Sequence, residues 1–143
     1  MKITIVSYQK HRNTGYQVSE EEYIKRLSRF VQINLCEIKS WNGSTKLPDY
    51  LSKSSFRIGL HANGKQHESK GLAKHIQELM NVGNSHFVLA IGGPEGMPTS
   101  VNAQLHERWS LSPLTFSHQL ARVVLLEVLY RSFDLLNGGR YHK

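Results

Sequence analysis

Three segments rich in glycine or proline are the strongest candidates for a ligand site in this 143-residue sequence. They read LHANGK at 60–65, IGGPEG at 91–96 and WSLSPLTFSH at 109–118. Glycine lets a ligand approach the backbone closely, and Pro94 and Pro113 fix local geometry. The segments carry few charges, which indicates a neutral or cationic ligand part held by main-chain groups, since a phosphate favours lysines and a helix start. Each segment alone is typical of a plain turn, but three at the carboxyl ends of strands favour a site.

Charged side chains near the carboxyl terminus are the second set of candidates. Glu127 and Arg131 are four residues apart on a predicted helix. That spacing is typical of a surface ion pair and equally of a pair facing a ligand. Arg122 lies among valines and leucines and therefore needs a buried anionic or carbonyl partner. We expect that partner across a subunit interface, and we expect His118 to cap or orient the start of the helix.

The sequence lacks the motifs of several common catalytic and binding sites. The sequence has no G-x-x-x-x-G-K-[ST], no C-x-x-C and no H-E-x-x-H, and IGGPEG lacks the spacing and position of a dinucleotide-binding loop. Its eight histidines show no close metal-ligand spacing. We therefore expect no metal site.

The elements that must position these candidates alternate between strand and helix patterns. Strands are predicted at 2–7, 34–38, 57–61 and 86–91. Helices are predicted from a capping box at Ser19 and Glu22, from an apolar stripe that ends at Gly83, at 99–108 and at His118–Leu136. Residues 39–55 are predicted to form a loop or short lid. This order predicts one α/β domain over residues 1–143, with a mostly parallel sheet flanked by helices.

The helix at His118–Leu136 is apolar almost all round, with a narrow polar stripe that contains Glu127, Arg131 and Asp134. A helix of this kind is buried on more than one side. A chain of this length covers one side with its own sheet, so we expect a second copy to cover the other. The sequence therefore predicts a homodimer.

The amino-acid composition indicates the cellular compartment of the protein and the kind of partner that it binds. Eighteen Lys and Arg against eleven Asp and Glu give a net charge of +7, which fits a polyanion such as nucleic acid or simply a solvated basic surface. One cysteine excludes an intrachain disulfide and favours a reducing compartment. The first apolar run is too short for a signal peptide or a membrane span. We expect a cytoplasmic protein with no membrane partner.

Longer motifs resemble a known family. LAIGGPEGMP, RWSLSPLTFSHQLARVVLLEVLYRSFDLL and a terminal YHK resemble the bacterial ribosomal RNA large subunit methyltransferase H family, which belongs to the SPOUT or α/β-knot methyltransferases. The match is strong over 86–143, weaker through 57–83 and thin before 57. The resemblance implies a carboxyl-terminal trefoil knot, an obligate dimer and S-adenosylmethionine as cofactor. It also implies methylation of N3 of a pseudouridine in 23S ribosomal RNA on the assembled ribosome.

The same resemblance implies roles for individual residues. His142 is the candidate base and Tyr141 the candidate stacking partner for the target base. Glu127 and Arg131 join this catalytic group if they face the donor. Arg140 and Lys143 are the candidates for RNA phosphate. The expected contacts of the methyl donor are Leu60, Gly92, Gly93, Leu111, Ser112, Pro113, Leu114, Thr115 and Phe116.

The sequence departs from the family pattern at two places. His61 stands where the family usually has aspartate. Gly138, Gly139 and Arg140 precede Tyr141-His142 where the family usually has proline, and Lys143 replaces the usual terminal arginine. These departures leave a second hypothesis open, a non-catalytic RNA- or ribosome-binding module with the knot fold. A third, a phosphoryl transferase, requires a phosphate-binding loop that the sequence lacks.

Overall fold

The computed structural model describes residues 1–8, 15–93 and 95–143. Within these ranges, five strands alternate with five helices. They are β1 (Lys2–Tyr8), α1 (Gln17–Leu27), β2 (Gln32–Ile38), α2 (Asp49–Ser52), β3 (Phe56–Gln66), α3 (Ser69–Asn81), β4 (His86–Ile91), α4 (Thr99–Asn102), β5 (Glu107–Ser110) and α5 (His118–Leu136).

The strands form one sheet in the order β2-β1-β4-β3-β5, and every strand pair is parallel. The α/β class with a parallel sheet is thereby confirmed. Side chains of β4 alternate between two apolar clusters, with Phe87 and Leu89 in the larger cluster and Val88 in the smaller. Residues of α1, α3 and α5 belong to the larger cluster, and residues near α2 and α4 to the smaller. Both faces of the sheet are therefore covered, which is usual for parallel strands.

The order of the strands creates a crevice. From β1 the chain passes to β2 on one side, whereas from β4 it passes to β5, beyond β3, on the other side. Since β1 and β4 are neighbours, their outgoing connections diverge from the same edge of the sheet. In open α/β sheets such a point is where ligands bind.

The predicted helix at 99–108 is wrong in its second half. Helix α4 ends at Asn102, and Glu107–Ser110 forms the edge strand β5, paired with β3. Trp109 is buried in the larger cluster, as expected of a core residue. Pairing with β3 and burial of this indole override the weak helical pattern, which only two apolar residues supported.

The capping box predicted at Ser19 is also wrong. Helix α1 begins at Gln17 with Tyr16 in the N-cap position, and no side chain caps it. Ser19 therefore lies within the first turn. The end of α3 agrees with the prediction, because Gly83 follows it with φ of 105°.

Helix α5 has the predicted bounds, but two of its expected contacts differ. Ser117 is the N-cap, where its hydroxyl accepts a hydrogen bond from the Leu120 amide at 3.2 Å, so His118 is not the cap. The anionic partners of Arg122 lie in the same chain rather than across an interface. Its guanidinium pairs with both carboxylate oxygens of Glu20 and with Glu37 at 3.1 Å.

Candidate functional site

The segment 60–65, predicted to be a loop at a strand end, instead lies within β3, which continues to Gln66. Residues from the middle of β3 and from the loops after β4 and β5 line one pocket of about 220 Å³ next to the start of α5. We call it the loop pocket. Eight of the nine residues expected to contact a methyl donor line it, and Pro113 is the exception. The pocket is lined by Leu60, His61, Ala62, Ile91, Gly92, Gly93, Gly96, Met97, Leu111, Ser112, Leu114, Thr115, Phe116 and Ala121.

Contacts within the protein explain why glycine occupies positions 92 and 93 of IGGPEG. A Cβ atom on Gly92 would lie 2.7 Å from the carbonyl carbon of Gly96, and one on Gly93 would lie 2.9 Å from the Tyr8 ring. Both positions therefore need glycine because the loop folds back on itself and packs against β1. Closeness to a ligand is not required to explain them. Pro94, which we expected to set this turn, lies outside the described residues.

Serine hydroxyls hold the third loop in place. The Ser110 hydroxyl lies 3.0 Å from the backbone carbonyl oxygens of both Ala62 and Ser112 and can donate to either. The Ser112 hydroxyl accepts a hydrogen bond from the Leu114 amide at 3.0 Å. The loop is thus tied to the middle of β3, while the Leu114 side chain stays 72% exposed. An apolar side chain this exposed beside a pocket is available to a ligand.

The lining suits an uncharged or cationic ligand part. No lysine or arginine is among the described residues that line the pocket, so it offers no cation to a phosphate. Burial, followed by the charge of Arg108, lowers the pKa of His61, so its imidazole is neutral near pH 7. A neutral imidazole does not repel a sulfonium group. Nε2 of His61 is buried without a hydrogen-bond partner among the described residues.

The four residues predicted to be catalytic form a second cluster, on α5 and the carboxyl-terminal tail. Glu127 accepts hydrogen bonds from Arg131 and from the Tyr141 hydroxyl, the latter at 2.9 Å. Arg131 donates to Nδ1 of His142 at 3.0 Å, and its guanidinium lies 4.7 Å from the centre of the Tyr141 ring. The expected four residues are therefore in mutual contact, and we call them the tail cluster.

The hydrogen bonds fix protonation states in the tail cluster. Arginine only donates, so Nδ1 of His142 accepts and its ring proton sits on Nε2. Burial raises the pKa of Tyr141, and its hydrogen bonds with Tyr23 and Glu127 raise it further. The Glu127 hydrogen bond raises the pKa of Arg131. Tyr141 is therefore a hydroxyl donor and Arg131 a fixed cation at neutral pH.

Three residues of this region had no predicted role in the site. Tyr23 on α1 lies with its hydroxyl 3.4 Å from that of Tyr141. Asp134 is buried, and its carboxylate accepts the Tyr141 amide at 3.0 Å. A Cβ on Gly139 would lie 2.1 Å from an oxygen of that carboxylate. Asp134 was the one residue whose role the sequence could have indicated. A carboxylate buried on an apolar helix needs a hydrogen-bond donor, and here the Tyr141 amide supplies it.

The tail cluster does not line the loop pocket of its own chain among the described residues. Arg140 and Lys143 are exposed beside the tail cluster, as a phosphate-binding role requires. No group of three or more histidine, cysteine or acidic side chains in the described part of the chain has the arrangement of a metal site. Nor does any helix in those ranges have the length and apolar character needed to cross a bilayer.

The family model described as "Predicted SPOUT methyltransferase" matches residues 1–142. The chain therefore belongs to the SPOUT methyltransferase family.

The relatives narrow this further. The chain is 38% identical over 153 residues to a ribosomal RNA large subunit methyltransferase H of Pseudothermotoga lettingae, covering 99% of both chains. It is 37% identical over 156 residues to the Legionella pneumophila protein of that name, covering 100% of this chain and 99% of the relative. A solved structure of a probable methylase family protein from Haemophilus influenzae shares the fold, with a TM-score of 0.61 at 13% identity. It covers 99% of this chain and 70% of the other.

Proposed function

We propose that this protein is an S-adenosylmethionine-dependent methyltransferase that methylates N3 of a pseudouridine in 23S ribosomal RNA. It acts in the cytoplasm on the assembled ribosome. The observation that carries the proposal is the convergence of two charge-poor loops and the middle of β3 on one pocket in a SPOUT-family chain. Full-length similarity to two large subunit methyltransferases H supports ribosomal RNA as substrate, and a net charge of +7 fits a polyanionic partner.

The loop pocket would hold the donor. Leu60, Gly92 and Gly93 line it together with Leu111, Ser112, Leu114, Thr115 and Phe116. The neutral imidazole of His61 would not repel the positively charged sulfonium. When bound, S-adenosylmethionine supplies an already activated methyl group. The task of the protein is therefore alignment, and holding two reactants in line supplies up to about 7–11 kcal/mol of a barrier. A knot at the carboxyl-terminal end would close this pocket, as the family resemblance implies.

The tail cluster would prepare the acceptor nitrogen. N3 is a weakly acidic imide that must lose its proton, and His142 is our candidate to accept it. For that, Nδ1 of His142 exchanges its Arg131 contact for the substrate, and the freed guanidinium faces the imidate oxygen. Tyr141 would stack on the base, and Arg140 and Lys143 would bind phosphates.

The experiment that tests the function is mass spectrometry of nucleosides from ribosomes that lack the modification. Wild-type protein with S-adenosylmethionine is expected to convert pseudouridine to its N3-methyl derivative. His142→Ala is expected to slow the conversion by about a hundredfold, at the low end for a lost proton acceptor. The affinity for S-adenosylhomocysteine, measured by calorimetry, should stay unchanged. Donor binding without any transfer by the wild type would instead support the non-catalytic binding module.

We also propose a homodimer through α5. Val124 and Val128 on this helix remain partly exposed in the single chain, although nine of its 19 residues are buried. Because the tail cluster does not line its own loop pocket, a second copy is the available source of a complete site. Sedimentation at micromolar concentration is expected to give twice the mass of one chain. A monomer under these conditions, active or not, would contradict the proposal.

A further inference from the structure

The strand β2 forms one edge of the sheet, and its outer side has no partner strand among the described residues. Gln32 donates its amide to the Met1 carbonyl at 3.2 Å, so the backbone groups of Gln32 face β1. The backbone groups of successive residues point to opposite sides of a strand. Those of Ile33, Leu35 and Glu37 therefore point away from the sheet, and they have no hydrogen-bond partner within the described ranges.

This edge lacks the features that usually prevent the addition of a strand. The strand at the opposite edge, β5, is only four residues long and contains two charged residues, Glu107 and Arg108. By contrast, β2 pairs with β1 over seven residues without a bulge, and its sequence QINLCEI contains no proline or lysine. A regular edge strand of this kind is a template for a further strand. We call the outer side of residues 32–38 the open edge.

A groove of about 460 Å³ lies beside the open edge, between β2 and α1. We call it the edge groove. Leu35 on β2, which is 38% exposed, and half-buried Ile24 on α1 form its apolar part. This combination suits an extended peptide, because main-chain hydrogen bonds to a strand edge supply affinity and pockets for alternate side chains supply specificity.

The charge of the edge groove indicates which side chains fit it. Three carboxylates, those of Glu20, Glu21 and Glu37, line the groove with one guanidinium, that of Arg122. Arg122 binds both carboxylate oxygens of Glu20 and one of Glu37. Glu21 is exposed without an ion pair or hydrogen bond among the described residues, and the Glu37 side chain is 30% exposed. The groove therefore keeps free negative charge on a chain of net charge +7, which attracts lysine or arginine and repels RNA phosphate.

We propose that the open edge binds an extended basic segment of another protein. The segment adds to β2 as a further strand and places a lysine or arginine in the edge groove, beside Glu21 and Glu37. Strand β1 separates β2 from β4, and none of the described residues that line the loop pocket belongs to β2. The loop pocket therefore stays accessible while the segment is bound. This interaction goes beyond the proposed function and does not depend on methyl transfer.

The test titrates the full-length protein with a labelled peptide, blocked at both ends, in which lysine alternates with valine. Fluorescence anisotropy is expected to show binding of this peptide, and a peptide with glutamate in place of lysine should not bind. Amide hydrogen exchange, measured by NMR, is expected to slow at Ile33, Leu35 and Glu37 when the lysine peptide is added. The amides of Asn34 and Cys36 face β1 and should change little.

Variants of the protein separate the contributions of backbone and charge. Leu35→Pro removes an outward amide, and proline is tolerated where the N–H of an edge strand faces solvent. It is expected to weaken peptide binding about 5- to 150-fold, the effect of one peptide carbonyl left without its donor. Leu35→Ala keeps the amide and should lose less. Circular dichroism checks that both variants are folded.

Glu21→Lys tests the charge of the edge groove without altering the strand. It is expected to weaken binding of the lysine peptide about fivefold, the upper value for one exposed ion pair. Glu78→Lys is the matched control, since Glu78 is exposed on α3 and does not line the groove. Its binding should equal that of the wild type. If Leu35→Pro does not fold, this pair and the hydrogen exchange decide the question.

Four results would overturn the proposal. The first is no binding of the lysine peptide, and the second is binding that leaves exchange at the three outward amides unchanged. The third is slow exchange at these amides in the protein alone, because a second copy of the chain would then occupy the edge. The fourth is an equal loss of binding in Glu21→Lys and Glu78→Lys. Absence of methyl transfer by the wild type would remove the proposed function and leave the peptide result intact.

Discussion

Arg122→Leu is expected to lower the free energy of unfolding by about 3 kcal/mol, because it leaves buried negative charge without its cation. Arg122 and Glu20 are each about 5% exposed, and the guanidinium also reaches Glu37 and, at 3.1 Å, the Ser7 hydroxyl. A cavity of about 460 Å³ borders the same carboxylates. Because Glu37 is 30% exposed, solvation of its carboxylate places the penalty toward the lower end of the usual 3–5 kcal/mol range. Urea unfolding at constant pH measures the difference.

Two comparisons separate charge from side-chain size. Lys53→Leu removes a pair with Asp49 in which both side chains are more than three-quarters exposed, and it should change stability by less than about 0.5 kcal/mol. Adding Glu20→Gln to Arg122→Leu removes one stranded charge and is expected to recover part of the loss. If the single Arg122 variant were as stable as the wild type, the carboxylates would have to be solvated, and the buried ion cluster would not hold α5 in place.

The Arg122 cluster also shows where sequence reasoning ends. The apolar surroundings of Arg122 correctly indicate that it needs an anionic partner. Nothing in the pattern indicates which partner, because Glu20 is 102 residues away and is buried in α1 rather than exposed. Only the packing of α1 against α5 brings the two together. The expectation of a partner across a dimer interface was therefore wrong in location, although not in chemistry.

The sequence predicts best the helices and strands whose apolar residues form a long or uninterrupted pattern. Strand β4 and helix α5 have the predicted bounds, because one is a short apolar run and the other a long helical one. Strand β5 was missed, since four residues at a sheet edge carry little pattern of their own. The capping box failed for a similar reason, because two residues at the right spacing do not determine where a helix begins.

The candidate site also contains features that the sequence indicates and features that it does not. The loops after β4 and β5 were recognisable from glycine and proline content, whereas the segment 60–65 proved to be part of β3. The parallel sheet brings residues of all three segments into one pocket. The reason for Gly93 was not recognisable, because its contact with Tyr8 joins residues 85 positions apart in the chain.

Gly139→Ala is expected to slow methyl transfer at least a hundredfold, since misplacing a reacting group by about 1 Å costs that much. The new methyl group would collide with the buried Asp134 carboxylate, which also accepts the Tyr141 amide. Relief requires either the tail or that carboxylate to move, and each movement breaks the hydrogen bond. Tyr141 and His142 would then leave the positions in which Glu127 and Arg131 hold them. Single-turnover transfer to unmodified ribosomes measures the effect, with S-adenosylhomocysteine affinity expected to be unchanged.

Gly71→Ala is the matched control for this substitution. Gly71 lies in α3, and a Cβ there meets no atom within 4 Å. The added methyl group should leave the transfer rate unaltered and raise stability by about 0.5–1 kcal/mol, because alanine replaces glycine inside a helix. If Gly139→Ala transferred methyl at the rate of this control, the path of the tail past Asp134 would be irrelevant to catalysis. The tail cluster would then be a structural feature, and the acceptor proton would have to leave by another group.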